Sequence, residues 1–122
     1  MTETYRKDLG KTGEELAAEH LAAKGYKIHA FNVRNKIGEL DVIAEQRGQI
    51  VIVEVKTKTG LGHGSPEEMV DRRKQRKLIR TAQLFLMEQN LTKRPWRIDV
   101  VAIRMQEEPP QILHIENAVE GS

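Results

Sequence analysis

Two segments rich in β-branched residues, Gly38-Glu39-Leu40-Asp41-Val42-Ile43-Ala44 and Gln49-Ile50-Val51-Ile52-Val53-Glu54-Val55-Lys56, stand on either side of Arg47-Gly48. They leave the chain little choice of local structure: each reads as a strand, and the dipeptide between them as a two-residue hairpin loop. With Gln46 facing Gln49, paired positions sum to 95, so Ile43 faces Ile52, Asp41 faces Glu54 and Glu39 faces Lys56. Side chains alternate along a strand, which puts all six on one face. A register shifted by one residue would send Asp41 and Glu54 to opposite faces.

Two carboxylates directly across a ladder have Cβ atoms roughly 4.5–5.5 Å apart, and like charges there are destabilising. A divalent cation held by oxygen ligands is the natural compensation. A lysine beside it adds positive charge where a phosphate oxygen or a water can sit, with Glu39 as a competitor for Lys56. The plainer alternative is a charged edge hairpin with a Glu39–Lys56 surface pair and a solvated Asp41. The hydrophobic runs around these charges argue against an open edge.

The 122 residues make one domain spanning 1–122, with 1–9 and 119–122 expected to be flexible ends. No run approaches the ~18 apolar residues of a membrane span, and no membrane partner is expected. The chain has no cysteine, which rules out disulfides and thiolate zinc sites and fits a reducing cytoplasm. His20, His29, His63 and His114 show no metal-ligand spacing and read as structural or solvated. The net charge is only +2, but Lys56, Lys58, Arg72, Arg73, Lys74, Arg76, Lys77 and Arg80 cluster against Glu67, Glu68 and Asp71. That excess fits a polyanion such as nucleic acid, although a solvated helix face can look the same.

Thr12 and Glu15 have capping-box spacing ahead of a first helix with Leu16, Ala17 and Leu21 on its apolar stripe, and Gly25 reads as its stop. Residues 26–33 form an expected first strand, and the hairpin supplies the second and third. The glycine-rich stretch 59–64 lacks the Gly-Lys-Ser/Thr ending of a Walker loop and reads as a flap or a plain linker. Ser65-Pro66-Glu67-Glu68 is expected to open a long second helix. Its stripe of Leu78, Ile79, Ala82, Phe85 and Leu86 turns polar one turn earlier, at Asp71, Lys74 and Gln75. Residues 97–104 and 111–115 complete an α/β pattern, a mixed central sheet flanked by helices.

A glutamate on the first helix, an aspartate on the second strand and Glu-x-Lys on the third follow the order found in the PD-(D/E)xK nuclease superfamily. More closely, the chain resembles the YraN family of small bacterial endonuclease-like proteins. The resemblance runs through Gly10-Lys11-Thr12-Gly13-Glu14, Gly25-Tyr26, Asn32-Val33-Arg34-Asn35, Gly38-Glu39-Leu40-Asp41, Val53-Glu54-Val55-Lys56, Lys74, Arg97-Ile98-Asp99-Val100-Val101 and His114-Ile115-Glu116-Asn117-Ala118. Leu40 stands where the motif's name has a proline, which many members lack.

This resemblance implies a restriction-endonuclease-like α/β fold and a site like that of archaeal Holliday-junction resolvases. Asp41 and Glu54 would hold Mg²⁺ or Mn²⁺, Lys56 would orient the attacking water, and Glu14 would be a further acid of the site. As a first-turn residue, Glu14 equally suits the helix dipole. The expected function is metal-dependent hydrolysis of DNA phosphodiester bonds, with Lys58, Arg72, Arg73, Lys74, Arg76 and Lys77 on the backbone. Phosphate contacts carry no sequence information, so a structure-selective enzyme for branched or junction DNA is expected, and a homodimer would suit two scissile phosphates. Two other classes compete: a catalytically silent nucleic-acid-binding module of the same fold, and a protein-interaction adaptor.

Overall fold

The computed structural model of the chain describes residues 12–58 and 71–119. The glycine-rich stretch 59–64, the Ser65–Glu68 segment and the chain ends 1–11 and 120–122 lie outside the described residues. The elements in order are α1 (Gly13–Ala23), β1 (Lys27–Arg34), β2 (Glu39–Gln46), β3 (Gln49–Lys58), α2 (Arg72–Glu88), β4 (Trp96–Arg104) and β5 (Gln111–Ile115).

Local chemistry explains where each begins and ends. Thr12 closes a full capping box on α1: its hydroxyl accepts from Glu15 N–H (3.2 Å) while Glu15 Oε1 accepts from Thr12 N–H (3.1 Å). Thr12→Ala is therefore expected to lower stability by about 1 kcal/mol in chemical denaturation. Between β2 and β3, Arg47 and Gly48 both take positive φ (51° and 79°), the twist of a tight two-residue hairpin turn. The opening expected at Ser65–Glu68 falls outside the described residues. Asp71 is extended (φ −74°, ψ 171°) and its carboxylate accepts from Lys74 N–H at 2.9 Å, so the helix that packs on the sheet is capped there.

The sheet order is β1-β2-β3-β4-β5, with β3 and β4 parallel and the other neighbours antiparallel. A helix lies on each face. Ala17 and Leu21 of α1 pack with Val42, Ala44, Val51, Val53, Val55 and Val101. Leu78, Ala82 and Leu86 of α2 pack with Ile43, Ile50, Ile52 and Ile98 on the other. This three-layer mixed sheet is an α/β fold, consistent with a restriction-endonuclease-like architecture.

The β2–β3 ladder keeps the register counted from the sequence, from Gln46↔Gln49 through Ile43↔Ile52 to Val42↔Val53. It stops one pair before Asp41. In the continued ladder Val55 N–H would donate to the Leu40 carbonyl; Asp41 Oδ2 takes that proton instead, at 2.8 Å. Side-chain alternation breaks at the same place. Val42 belongs to the α1-side core and Leu40 to the α2-side core, although they are two residues apart on one strand. Across from Asp41 on β1, Asn32 sits at φ 50°, between the regular pairs Phe31↔Val42 and Val33↔Leu40. The expected Glu39–Lys56 pairing is accordingly absent from the ladder, and Glu39 accepts from Arg34 at 2.7 Å.

Candidate active site

Beyond Val42↔Val53, β3 carries Glu54 and Lys56 on the face that Ile50 and Ile52 present to α2. Asp41 enters from β2, its Oδ2 fixed by the Val55 N–H, and hydrogen-bonds to the Glu54 carboxyl. Two carboxyls can bond to each other only if one keeps its proton. Burial, then the hydrogen bond and charge of Asp41, push the Glu54 carboxyl up to about 8, while Lys56 and Lys74 pull the other way. Asp41 and Glu54 thus meet across the hairpin, although the regular ladder ends at Val42↔Val53 and does not pair them.

A cleft of about 170 Å³ opens at Glu54, lined also by Gly38, Glu39, Lys56, Lys74, Lys77, Leu78 and Thr81. The polar start of the α2 stripe divides into three. Asp71 is spent on the helix cap, Lys74 reaches the cleft, and Gln75 is half-buried beside it. Arg72, Arg73 and Arg76 are exposed on the same helix, and Lys58 closes β3. Glu14 lies in the first turn of α1, next to Gly13, which packs against Val55 and Thr57. Among the described residues no cluster of three acids or histidines forms a metal site. Two carboxylates could hold a hard cation such as Mg²⁺ or Mn²⁺, which keeps several waters, better than Zn²⁺.

A larger hollow of about 420 Å³ lies on the same face toward the hairpin turn, with Ile43, Ile50, Phe85 and Leu91 in its wall. Its rim groups are already engaged: Glu45 accepts from Arg94 at 2.8 Å and lies 2.9 Å from His29. It gathers no carboxylate pair and no lysine.

The α1 face holds a charged cluster that sequence reasoning did not assemble. Asp99 is fully buried and accepts from Arg97 Nε (2.9 Å) and from Asn117 N–H (2.9 Å), with His114 Nε2 at 2.7 Å. Lys24 Nζ lies 2.7 Å from His114 Nδ1. A lysine only donates, so Nδ1 accepts and the ring proton is on Nε2, directed at Asp99. Burial raises the Asp99 carboxyl, but hydrogen bonds from His114, Arg97 and Asn117 outweigh it and hold Asp99 below the usual carboxylate range. Arg97 also reaches Tyr26 Oη and Gln49 Oε1, both at 2.7 Å. Sequence gave one signal: Arg97 and Asp99 alternate on one face of an otherwise apolar strand.

The family model described as "Uncharacterised protein family UPF0102" matches residues 13–103. A UPF0102 protein of Persephonella marina is 44% identical over 109 residues, covering 89% of this chain and 90% of its own. Another, from Caldanaerobacter subterraneus subsp. tengcongensis, is 40% identical over 121 residues, covering 97% and 99%. A third, from Syntrophotalea carbinolica, is 40% identical over 116 residues, covering 94% of each.

Proposed function

This chain belongs to the UPF0102 family, and from the carboxylate pair held by its hairpin we propose that it is a divalent-metal-dependent nuclease acting on DNA phosphodiester bonds. The observation that carries the reading is Glu54, hydrogen-bonded to Asp41, in the wall of a cleft that it shares with Lys56, Lys74 and Lys77. An acid pair whose charge is costly, facing amines that fit phosphate oxygens, suits a polyanionic substrate delivered to a cation.

Asp41 and Glu54 would hold Mg²⁺ or Mn²⁺. When bound, such an ion supplies Lewis-acid stabilisation of the phosphoryl oxygens and lowers the pKa of a water. The remaining work belongs to the chain. Val55 N–H fixes the Asp41 carboxylate, so the site needs little reorganisation. Lys56, two residues from Glu54 on the same face, orients the water that attacks phosphorus as the P–O bond to the leaving strand breaks. Lys74 and Lys77 hold non-bridging oxygens from the helix side, and Lys58, Arg72, Arg73 and Arg76 take flanking phosphates. Contacts of this kind fix position without reading bases, which favours selection of DNA by structure, with branched or junction DNA as the expected class.

Purified protein should nick branched DNA in Mg²⁺ or Mn²⁺ and not in EDTA, and Asp41→Ala or Lys56→Ala should abolish the cut. Metal-independent cleavage, or cleavage unchanged in both variants, would sink the nuclease reading. Salt-sensitive DNA binding without cleavage would instead favour the silent binding module, and loss of binding even at low salt the adaptor.

A further inference from the structure

We propose that Asn35 is a positioning residue of the cleft: it sets how far Lys74 and Lys77 stand from the Asp41–Glu54 pair. The proposal deepens the nuclease reading and rests on it only for its activity arm.

Every hydrogen-bonding group of the Asn35 side chain is engaged. Its Oδ1 accepts from Ile37 N–H (2.9 Å) and Gly38 N–H (3.2 Å), closing the turn that feeds β2 and hence Asp41. Its Nδ2 donates to the Thr81 carbonyl (3.0 Å) in the middle of α2. The amide cannot be flipped, because two of its partners are N–H groups and the third is a C=O. Where turn and helix meet there is no slack. A Cβ on Gly38 would fall 2.8 Å from Thr81 Oγ1 and 3.3 Å from Lys77 Cε. Thr81 is itself buried, with its hydroxyl donating to the Lys77 carbonyl at 2.8 Å.

Lys77 and Lys74 lie four and seven residues before Thr81, about 6 and 10 Å along the helix axis. The buried apolar contacts of α2 with the sheet run through Leu78, Ala82 and Leu86. Such apolar contacts are non-directional and tolerate a small slide or roll. A misplacement of about 1 Å in a reacting constellation costs on the order of 100-fold in rate. The Asn35–Thr81 bond, joining residues 46 apart in sequence, is a directional contact that holds acids and amines in one frame.

A simple turn-closing role makes a different prediction. Closing the turn needs only the Asn35 Oδ1, which aspartate also supplies. Asn35→Asp keeps those two bonds and sets a carboxylate oxygen against the Thr81 carbonyl, removing the clamp alone. The readout is the position of α2 on the sheet in crystal structures of wild type and variants, taken as the distances of the Lys74 and Lys77 Cα atoms from those of Asp41 and Glu54.

Asn35→Asp should move the Lys74 and Lys77 Cα atoms by about 1 Å or more relative to Asp41 and Glu54, with the turn at 35–38 kept. Gly38→Ala pushes turn from helix without adding charge, should displace α2 in the same way, and serves if Asn35→Asp does not fold. An α2 that keeps its place in both variants overturns the proposal. In the activity arm, kcat of Asn35→Asp should fall about tenfold or more with KM little changed, and a loss confined to KM would overturn the positioning role. The displacement needs no cleavage, so a wild-type protein that fails to cut DNA overturns the nuclease reading while the positioning role is decided separately.

Discussion

Replacing Asp99 by alanine is expected to destabilise the fold by about 3–5 kcal/mol, because it leaves a buried arginine without its counter-charge. Arg97 is 13% exposed and Asp99 fully buried, so water cannot take over the lost bonds. Arg97 keeps Tyr26 and Gln49, and a looser contact with Glu116 at 3.3 Å, but none replaces a two-bond carboxylate. His114 Nε2–H and Asn117 N–H lose their acceptor as well. The denaturation midpoint should fall with an unchanged m-value, and the melting temperature by on the order of 10–20 °C.

Asn at the same position separates charge from shape. Its one carbonyl oxygen can replace Oδ2, which serves His114 and Arg97 Nη2, or Oδ1, which serves Arg97 Nε and Asn117 N–H, and its NH₂ faces donors at the other position. His114 could adapt by moving its proton to Nδ1, but that nitrogen accepts from Lys24. The acid dependence has a definite sign. A carboxyl held below its unfolded pKa contributes stability above that value, and the contribution is lost as pH falls through the folded pKa. The stability gap between wild type and Asp99→Asn should therefore narrow in acid. A gap that is constant from neutral pH down into the acid limb would mean that the charge of Asp99 contributes nothing.

The hairpin register was legible because a two-residue turn with positive φ at both centres leaves one phase, and the flanking β-branched runs agree with it. The capping box at Thr12 and the fifth strand, Gln111–Ile115, were legible for the same reason: signals a few residues apart that do not compete. The cap at Asp71 was not, because an aspartate within an expected helix carries no sign that its backbone is extended.

The site was legible as a pair of acids but not as a shape. Alternation alone places Glu39 opposite Lys56. It fails because the Asp41 carboxylate replaces a ladder bond, and an asparagine at positive φ has no distinct spacing signature. The Asn35–Thr81 clamp and the Lys24–His114 contact join residues 46 and 90 apart, beyond the reach of local pattern. Family resemblance named Asn35, Asp99 and His114 among matching stretches without saying what they touch.

Glu54→Gln is expected to make the metal-free protein more stable than wild type at alkaline pH. A group whose folded pKa lies above its unfolded value contributes stability that is fully present below the unfolded pKa and is lost as pH rises through the folded one. For Glu54 that window runs from the ordinary carboxylate range to about 8. Across it wild type loses stability at up to about 1.4 kcal/mol per pH unit, the free energy of ionising a buried carboxyl that also stands beside Asp41. Glutamine is neutral and can donate to Asp41 as the protonated acid does, so it escapes that loss. The two proteins should unfold alike near pH 5 and diverge toward pH 9 in EDTA. Millimolar Mg²⁺ or Mn²⁺ should then raise the alkaline melting temperature of wild type and leave Glu54→Gln little changed, since only the intact pair gains a ligand. Parallel pH curves for the two proteins would remove the coupled carboxylates as the origin of the effect. A gap that opens but does not close with either ion would leave the charge pair in place and deny it a metal.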